Sequence, residues 1–165
     1  MNSITQSEPE FISRMRAGIA KTRLPLPEAF QLPGELYCAE DVVTLEKDRI
    51  FMKTWLCVGR EEQIPASGDY FTGRIVDEPF VVARDADGKI NAFMNMCLHR
   101  GVPVASGCGN KRNFSCPYHA WTYDLQGKLR AAPYMGKSTM TSVDGRQLKP
   151  IRLALWRGWI FINFN

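Results

Sequence analysis

A chain of 165 residues can build one domain with a genuine core but is short for two. Its 45% hydrophobic and 23% charged residues lie in the globular range, and its longest apolar runs, such as residues 159–164, are far too short to span a bilayer. The formal charge of +4 comes from scattered Lys and Arg with no basic block interleaved with aromatics, which argues against a nucleic-acid-binding surface.

Ser7 and Glu10 form a capping-box pattern, and Phe11, Met15 and Ile19 follow at helical spacing, predicting a first helix. Leu24-Pro25-Leu26-Pro27 cannot continue it, so residues 1–36 read as an arm rather than as core. The start has no basic residues followed by an apolar stretch; no secretory signal is expected, and the expected location is cytoplasmic. A second helix is expected over about residues 40–53, where Val42, Leu45, Ile50 and Phe51 recur near helical spacing.

From Trp55 the texture changes to short β-rich runs. Residues 55–58, 70–76, 80–84 and 90–95 are strand-sized and rich in β-branched or aromatic side chains. Turn chemistry separates them at 65–68, 77–79 and 85–88. Residues 121–125 and 128–130 flank Gln126-Gly127 as a hairpin, and the closing run reads as two strands about Arg157-Gly158. Tyr70, Trp156 and Trp159 are assigned to the β core, and no internal repeat is evident. The fold class is mainly β and antiparallel, behind a helical lead.

Five cysteines, Cys38, Cys57, Cys97, Cys108 and Cys116, make an odd number, which turns attention from a disulfide framework to metal ligation. Cys108 is expected to be a free, partly buried thiol. The chain has only two histidines, His99 and His119, and each lies within three residues of a cysteine. The segments Cys97-Leu98-His99-Arg100-Gly101 and Cys116-Pro117-Tyr118-His119-Ala120-Trp121 each offer one thiolate and one imidazole, together a closed four-ligand site. Gly101, Pro103, Gly107 and Gly109 let the chain turn back between them. Zinc accepts two Cys and two His, but its usual fingers pair cysteines on one knuckle and histidines on a helix. Mixed arms suit a two-iron cluster in which one iron takes both thiolates and the other both imidazoles.

The pattern C-x-H, then sixteen residues, then C-x-x-H resembles the Rieske signature. From about Trp55 to the end, and more loosely back to Tyr37, the wording resembles the N-terminal part of the α subunit of Rieske non-haem iron oxygenases of the ring-hydroxylating type. The resemblance implies a Rieske-type antiparallel β-sandwich with two cluster-binding loops over residues 37–165. It implies a [2Fe–2S] cluster with Cys97 and Cys116 on the inner iron and His99 and His119 on the outer. Arg100 and Tyr118 flank the ligands and could donate to the cluster or seal it, Trp121 would pack under the loop, and Ser115 and Tyr123 are candidate hydrogen-bond tuners. Val102 and Tyr118 stand where respiratory-type Rieske proteins carry a disulfide. Ala120 replaces the family's usual glycine, a change that a negative φ would tolerate.

By the same resemblance, electrons would arrive from a ferredoxin or flavin reductase, helped to dock by the mild positive charge if that donor is acidic. They would leave for a mononuclear Fe(II) that activates O₂ in a catalytic domain, of the same or a neighbouring subunit. That iron needs two His and one carboxylate. Both histidines here are committed to the cluster, so the catalytic domain is expected outside this chain, which has no catalytic residue of its own. The expected function is the electron-transfer part of a mono- or dioxygenase acting on aromatic or small quaternary-amine substrates. A stand-alone Rieske ferredoxin-like carrier is the alternative, and a zinc-stabilised interaction domain comes third.

Overall fold

The computed structural model describes residues 10–133 and 143–165. The chain divides into two compact units, Met1–Ile50 and Phe51–Asn165. In the first, α1 (Glu10–Lys21) buries Met15 at the centre of the predicted apolar stripe. It ends where the backbone N–H and hydroxyl of Thr22 both donate to the Ile19 carbonyl, ahead of the prolines. Ser7 of the expected capping box lies outside the described residues. Helix α2 (Glu40–Glu46) starts with two carboxylates in its first turn, which favours that end of the dipole. The predicted second helix stays α-helical only to Glu46, and Lys47–Phe51 follows as a wider π-type turn.

Among the described residues the second unit holds ten strands: β1 (Leu56–Arg60), β2 (Asp69–Ile75), β3 (Glu78–Arg84), β4 (Ile90–Met94), β5 (Cys108–Asn110), β6 (Asn113–Ser115), β7 (Thr122–Asp124), β8 (Leu129–Ala131), β9 (Arg152–Trp156) and β10 (Trp159–Asn163). All pair antiparallel, in three sheets ordered β1-β10-β9, β4-β3-β2-β5 and β6-β7-β8. The key is β3, whose run Phe80-Val81-Val82-Ala83 is buried throughout. Side chains alternate across a strand. Val81 and Ala83 therefore join one core, with Phe114, Tyr123 and Leu129 of the β6-β7-β8 sheet, while Phe80 and Val82 join another, with Ile160 and Ile162 of β10. The four-stranded sheet is the middle layer, covered on both faces, which is why β3 reads as a continuous apolar run.

Four sequence expectations change. Strands β5 and β6 were not anticipated; they are three residues each, and β5 is held to β2 by the register Phe71↔Cys108. Cys108 is exposed rather than partly buried. Tyr70 belongs to the core, but Trp156 and Trp159 do not: they are 61% and 40% exposed and pair across β9 and β10 on the face opposite Ile160 and Ile162. Arg157 and Arg60 lie over these two rings at 5.4 and 4.6 Å.

A short repeat also emerges. Asp85-Ala-Asp-Gly-Lys89 and Asp124-Leu-Gln-Gly-Lys128 form the same turn. In each, one aspartate oxygen accepts the N–H groups two and four residues on, and the other oxygen accepts from the residue six on, Asn91 or Arg130. Each glycine sits at positive φ, +79° and +83°.

Candidate metal centre

The two Cys/His segments fold into matching loops, one between β4 and β5 and the other between β6 and β7. The N–H of Cys97 donates to the Val102 carbonyl at 2.8 Å, and the Gly101 N–H returns to the Cys97 carbonyl at 2.8 Å. In the second loop the Cys116 N–H donates to the Trp121 carbonyl at 2.8 Å, and the Ala120 N–H to the Cys116 carbonyl at 3.0 Å. The closing position of each knuckle is left-handed: Gly101 at φ +71° and Ala120 at φ +54°. The negative φ that would tolerate an alanine here is not the one the loop adopts. The same pair of hydrogen bonds demands the same hand in both loops, so the alanine adopts a conformation that its Cβ disfavours.

The cysteines come together. Cys97 and Cys116 are buried, unpaired thiols close enough to interact. Burial pushes the Cys97 thiol up, partly offset by a hydrogen bond with Tyr123. The histidines meet as well, with ring centroids 4.6 Å apart at 71°. Partial burial, helped by the charges of His119 and Arg100, lowers the His99 pKa and favours the neutral imidazole that a metal requires.

Each imidazole has an aromatic neighbour. Trp121, 2% exposed, stacks on His99 at 5.1 Å and 11°, across from the other loop. Tyr118, 56% exposed, lies against His119 at 4.1 Å and 30°, with the Arg100 guanidinium over the Tyr118 ring at 5.9 Å. Tyr118 and Arg100 thus cap the site from outside, and Trp121 packs beneath it.

Of the two candidate tuners, Tyr123 reaches the site and Ser115 does not. The Tyr123 hydroxyl is 3.2 Å from Cys97 Sγ and accepts the Leu98 N–H at 2.9 Å. With its oxygen engaged by that N–H, its own proton is free for the sulfur. Burial, then the Cys97 contact, pushes the phenol far above its ordinary value, so it remains a donor. Ser115 is exposed and pairs with Thr122 instead. Sequence reasoning missed Asn95, 4% exposed, whose side chain accepts from Val104 and Ala105 N–H and donates to the Ala105 carbonyl, pinning the base of the first loop. Its one sequence signal was a polar residue closing the apolar strand β4.

The donors fit a two-iron cluster. His119 Nδ1 is buried with no hydrogen-bond partner among the described residues, as a nitrogen reserved for a metal would be. Beside it lie two buried thiols and a second imidazole. No three His, Cys, Asp or Glu among the described residues converge as a single-ion site would need; a Rieske centre asks for only two protein donors at each iron.

The fold and these loops define an iron–sulfur protein of the Rieske class. The chain belongs to the Rieske [2Fe–2S] domain family, whose pattern matches residues 54–152. It is 41% identical over 141 residues to choline monooxygenase, chloroplastic, of Arabidopsis thaliana, covering 86% of this chain and 33% of that one. It is 37% identical to the benzene 1,2-dioxygenase α subunit of Pseudomonas putida, covering 84% and 31%. Among solved structures, naphthalene 1,2-dioxygenase from Rhodococcus sp. superimposes with a TM-score of 0.83 at 31% identity, over 96% of this chain and 36% of that one. The apo form of a quaternary ammonium Rieske monooxygenase gives 0.77 at 33%, over 83% and 40%. The homologues include α subunits of Rieske oxygenases, and the chain spans about a third of the length of these curated relatives. Among the described residues no helix is long and apolar enough to cross a membrane.

Proposed function

We propose that Cys97, His99, Cys116 and His119 hold the [2Fe–2S] cluster, and that the chain passes single electrons to the catalytic iron of a Rieske oxygenase. The observation that carries this reading is the meeting of two buried thiols and two imidazoles on matching loops, with the orphaned His119 Nδ1 among them. When bound, the cluster supplies one-electron redox chemistry, with a potential raised by the two neutral ligands. The protein's own residues hold and tune it. Tyr123 donates to the Cys97 sulfur, Trp121 shields one face from water, and Tyr118 with Arg100 covers His119 on the outside.

Met96, Leu98 and Tyr118 are large, exposed and adjacent to the ligands, as a docking rim for a redox partner would be. A ferredoxin or flavin reductase would supply the electrons. A mononuclear iron held by two His and one carboxylate would receive them, and with both histidines of this chain used, its ligands would come from polypeptide beyond residue 165 or from another subunit. Under this reading residues 37–165 are the cluster-bearing domain and residues 1–36 its arm. Substrates of the assembled oxygenase would be quaternary amines or aromatic compounds. Five unpaired cysteines suit a reducing, cytoplasmic setting.

The test is EPR of the dithionite-reduced protein, with iron and acid-labile sulfide measured on the same sample. A rhombic Rieske-type signal with equal iron and sulfide is expected. Bound zinc without sulfide, from protein made anaerobically with iron supplied, would refute the reading.

A further inference from the structure

The two Cys/His loops are closed by different means. Residues 116–121 lie between β6 and β7, which pair directly in the register Ser115↔Thr122, so strand pairing itself fixes both ends of the second loop. Residues 95–107 lie between β4 and β5, which sit on opposite edges of the sheet ordered β4-β3-β2-β5 and do not pair with each other. The outer edge of β4 turns instead to residues 149–150, through the Phe93↔Pro150 bridge and the Met94 N–H donating to the Lys149 carbonyl.

One side chain spans the mouth of the first loop. Asn95, 4% exposed, directly follows β4. Its Oδ1 accepts the N–H groups of Val104 and Ala105 at 2.9 and 3.1 Å, and its Nδ2 donates to the Ala105 carbonyl at 2.9 Å. Both partners are buried, so these bonds join outgoing and returning legs inside the core. A side-chain amide offers the same donor and acceptor as a peptide group, and Asn95 meets the returning leg much as a neighbouring strand would. Its own N–H donates to the carbonyl of Pro79 in β3, which ties the bracket to the middle layer. Inside the bracket lies the knuckle of Cys97, Gly101 and Val102, with its two backbone hydrogen bonds.

We propose that Asn95 is a positioning residue for the first arm of the cluster, its amide doing for Cys97 and His99 what β6–β7 pairing does for Cys116 and His119. This inference rests on Cys97 and His99 being cluster ligands. The two arms are therefore held unequally, one by a strand pair and one by a side chain, and loosening Asn95 frees the first arm while the second stays in place.

The test uses cluster-loaded protein. Hydrogen exchange is read by mass spectrometry on peptides covering residues 95–105 and 114–122, and cluster loss to an iron chelator is followed by visible absorbance. Asp85→Ala is the control: it too removes a buried side chain that accepts two N–H groups, but at the opposite end of β4. Asn95→Ala should speed exchange over 95–105 by about tenfold or more, as the loss of two buried hydrogen bonds implies. Exchange over 114–122 should keep the wild-type rate, and cluster loss should be several-fold faster. Asp85→Ala should leave both peptides and the rate of cluster loss at wild-type values, although it lowers the urea midpoint. Equal acceleration by the two variants, or faster exchange of both loops in Asn95→Ala, would make Asn95 an ordinary stabilising residue. Faster first-loop exchange with unchanged cluster loss would also overturn the proposal, since the bracket would then not hold the ligands. Should Asn95→Ala fail to load, Asn95→Asp decides by the same split with a smaller factor, because it keeps an oxygen for both N–H groups and loses only the donor to Ala105. A wild-type protein without a Rieske-type EPR signal would instead sink the ligand assignment, a failure visible before any variant is made.

Discussion

Replacing Tyr123 with Phe removes one hydroxyl and almost no volume, so it deletes the hydrogen bond to Cys97, together with the acceptor of the Leu98 N–H, without opening a cavity. That hydroxyl accepts the Leu98 N–H at 2.9 Å and lies 3.2 Å from the Cys97 sulfur. Its elevated pKa keeps it protonated through the physiological range. A hydrogen bond to a charged acceptor contributes about 1.5–3 kcal/mol, and it matters more to the more negative, reduced cluster. If about half of the upper figure is differential, roughly 1.4 kcal/mol, the reduced state loses about tenfold in relative population, or about 60 mV for one electron. The potential of Tyr123→Phe should therefore fall by about that much in an EPR-monitored titration, with iron content unchanged. A potential within about 10 mV of wild type, cluster intact, would show that the proton does not reach the sulfur. A rise would mean that the sign of the argument is wrong.

The left-handed Ala120 predicts that Ala120→Gly stabilises the protein. Relief of about 1–2 kcal/mol of backbone strain is partly offset by added unfolded-state freedom, leaving roughly 0.5–1 kcal/mol and about 1–4 °C in Tm. A lower Tm would refute the strain. Gly101→Ala is the mirror experiment: the nearest atom to a new Cβ is Met96 Cε at 3.8 Å, so only the backbone penalty of about 1 kcal/mol applies. Gly127→Ala should cost about 3 kcal/mol or more, because its Cβ would meet the Phe93 ring at 2.6 Å as well as the positive φ; equal Tm losses for the two would contradict the packing. Asp85→Ala strands the Asp87 and Lys89 N–H groups around a side chain 3% exposed, and should cost about 3 kcal/mol in urea unfolding. Cys116→Ser should abolish cluster loading, whereas Cys108→Ser, at an exposed thiol, should keep full iron and sulfide. Loss of iron in both would point to global damage rather than ligation.

The donor set proposed for the cluster is legible because it is local. Two thiols and both histidines of the chain sit within two short segments, and mixed arms already suit two unlike irons. The strand segments and their turns were legible for the same reason: alternation, β-branching and Asp/Gly turn chemistry act over a few residues. The three-residue strands β5 and β6 were too short to show a period and exist because β2 and β7 pair with them.

Whether a strand face is covered is decided elsewhere in the fold. The run from Trp159 to Ile162 is uniformly apolar, and only the stacking of three sheets places Ile160 and Ile162 inside while leaving Trp159 exposed. The hand of Ala120 comes from closing a knuckle with two backbone hydrogen bonds, a condition no side-chain pattern encodes. The Tyr123–Cys97 hydrogen bond, the Asn95 clamp and the Trp121–His99 stack each hold a loop through contacts outside its Cys/His motif. Sequence alone named the residues proposed to bind the cluster; tertiary structure alone decided which neighbours pack against them, because those contacts form only when separate loops and strands are brought side by side.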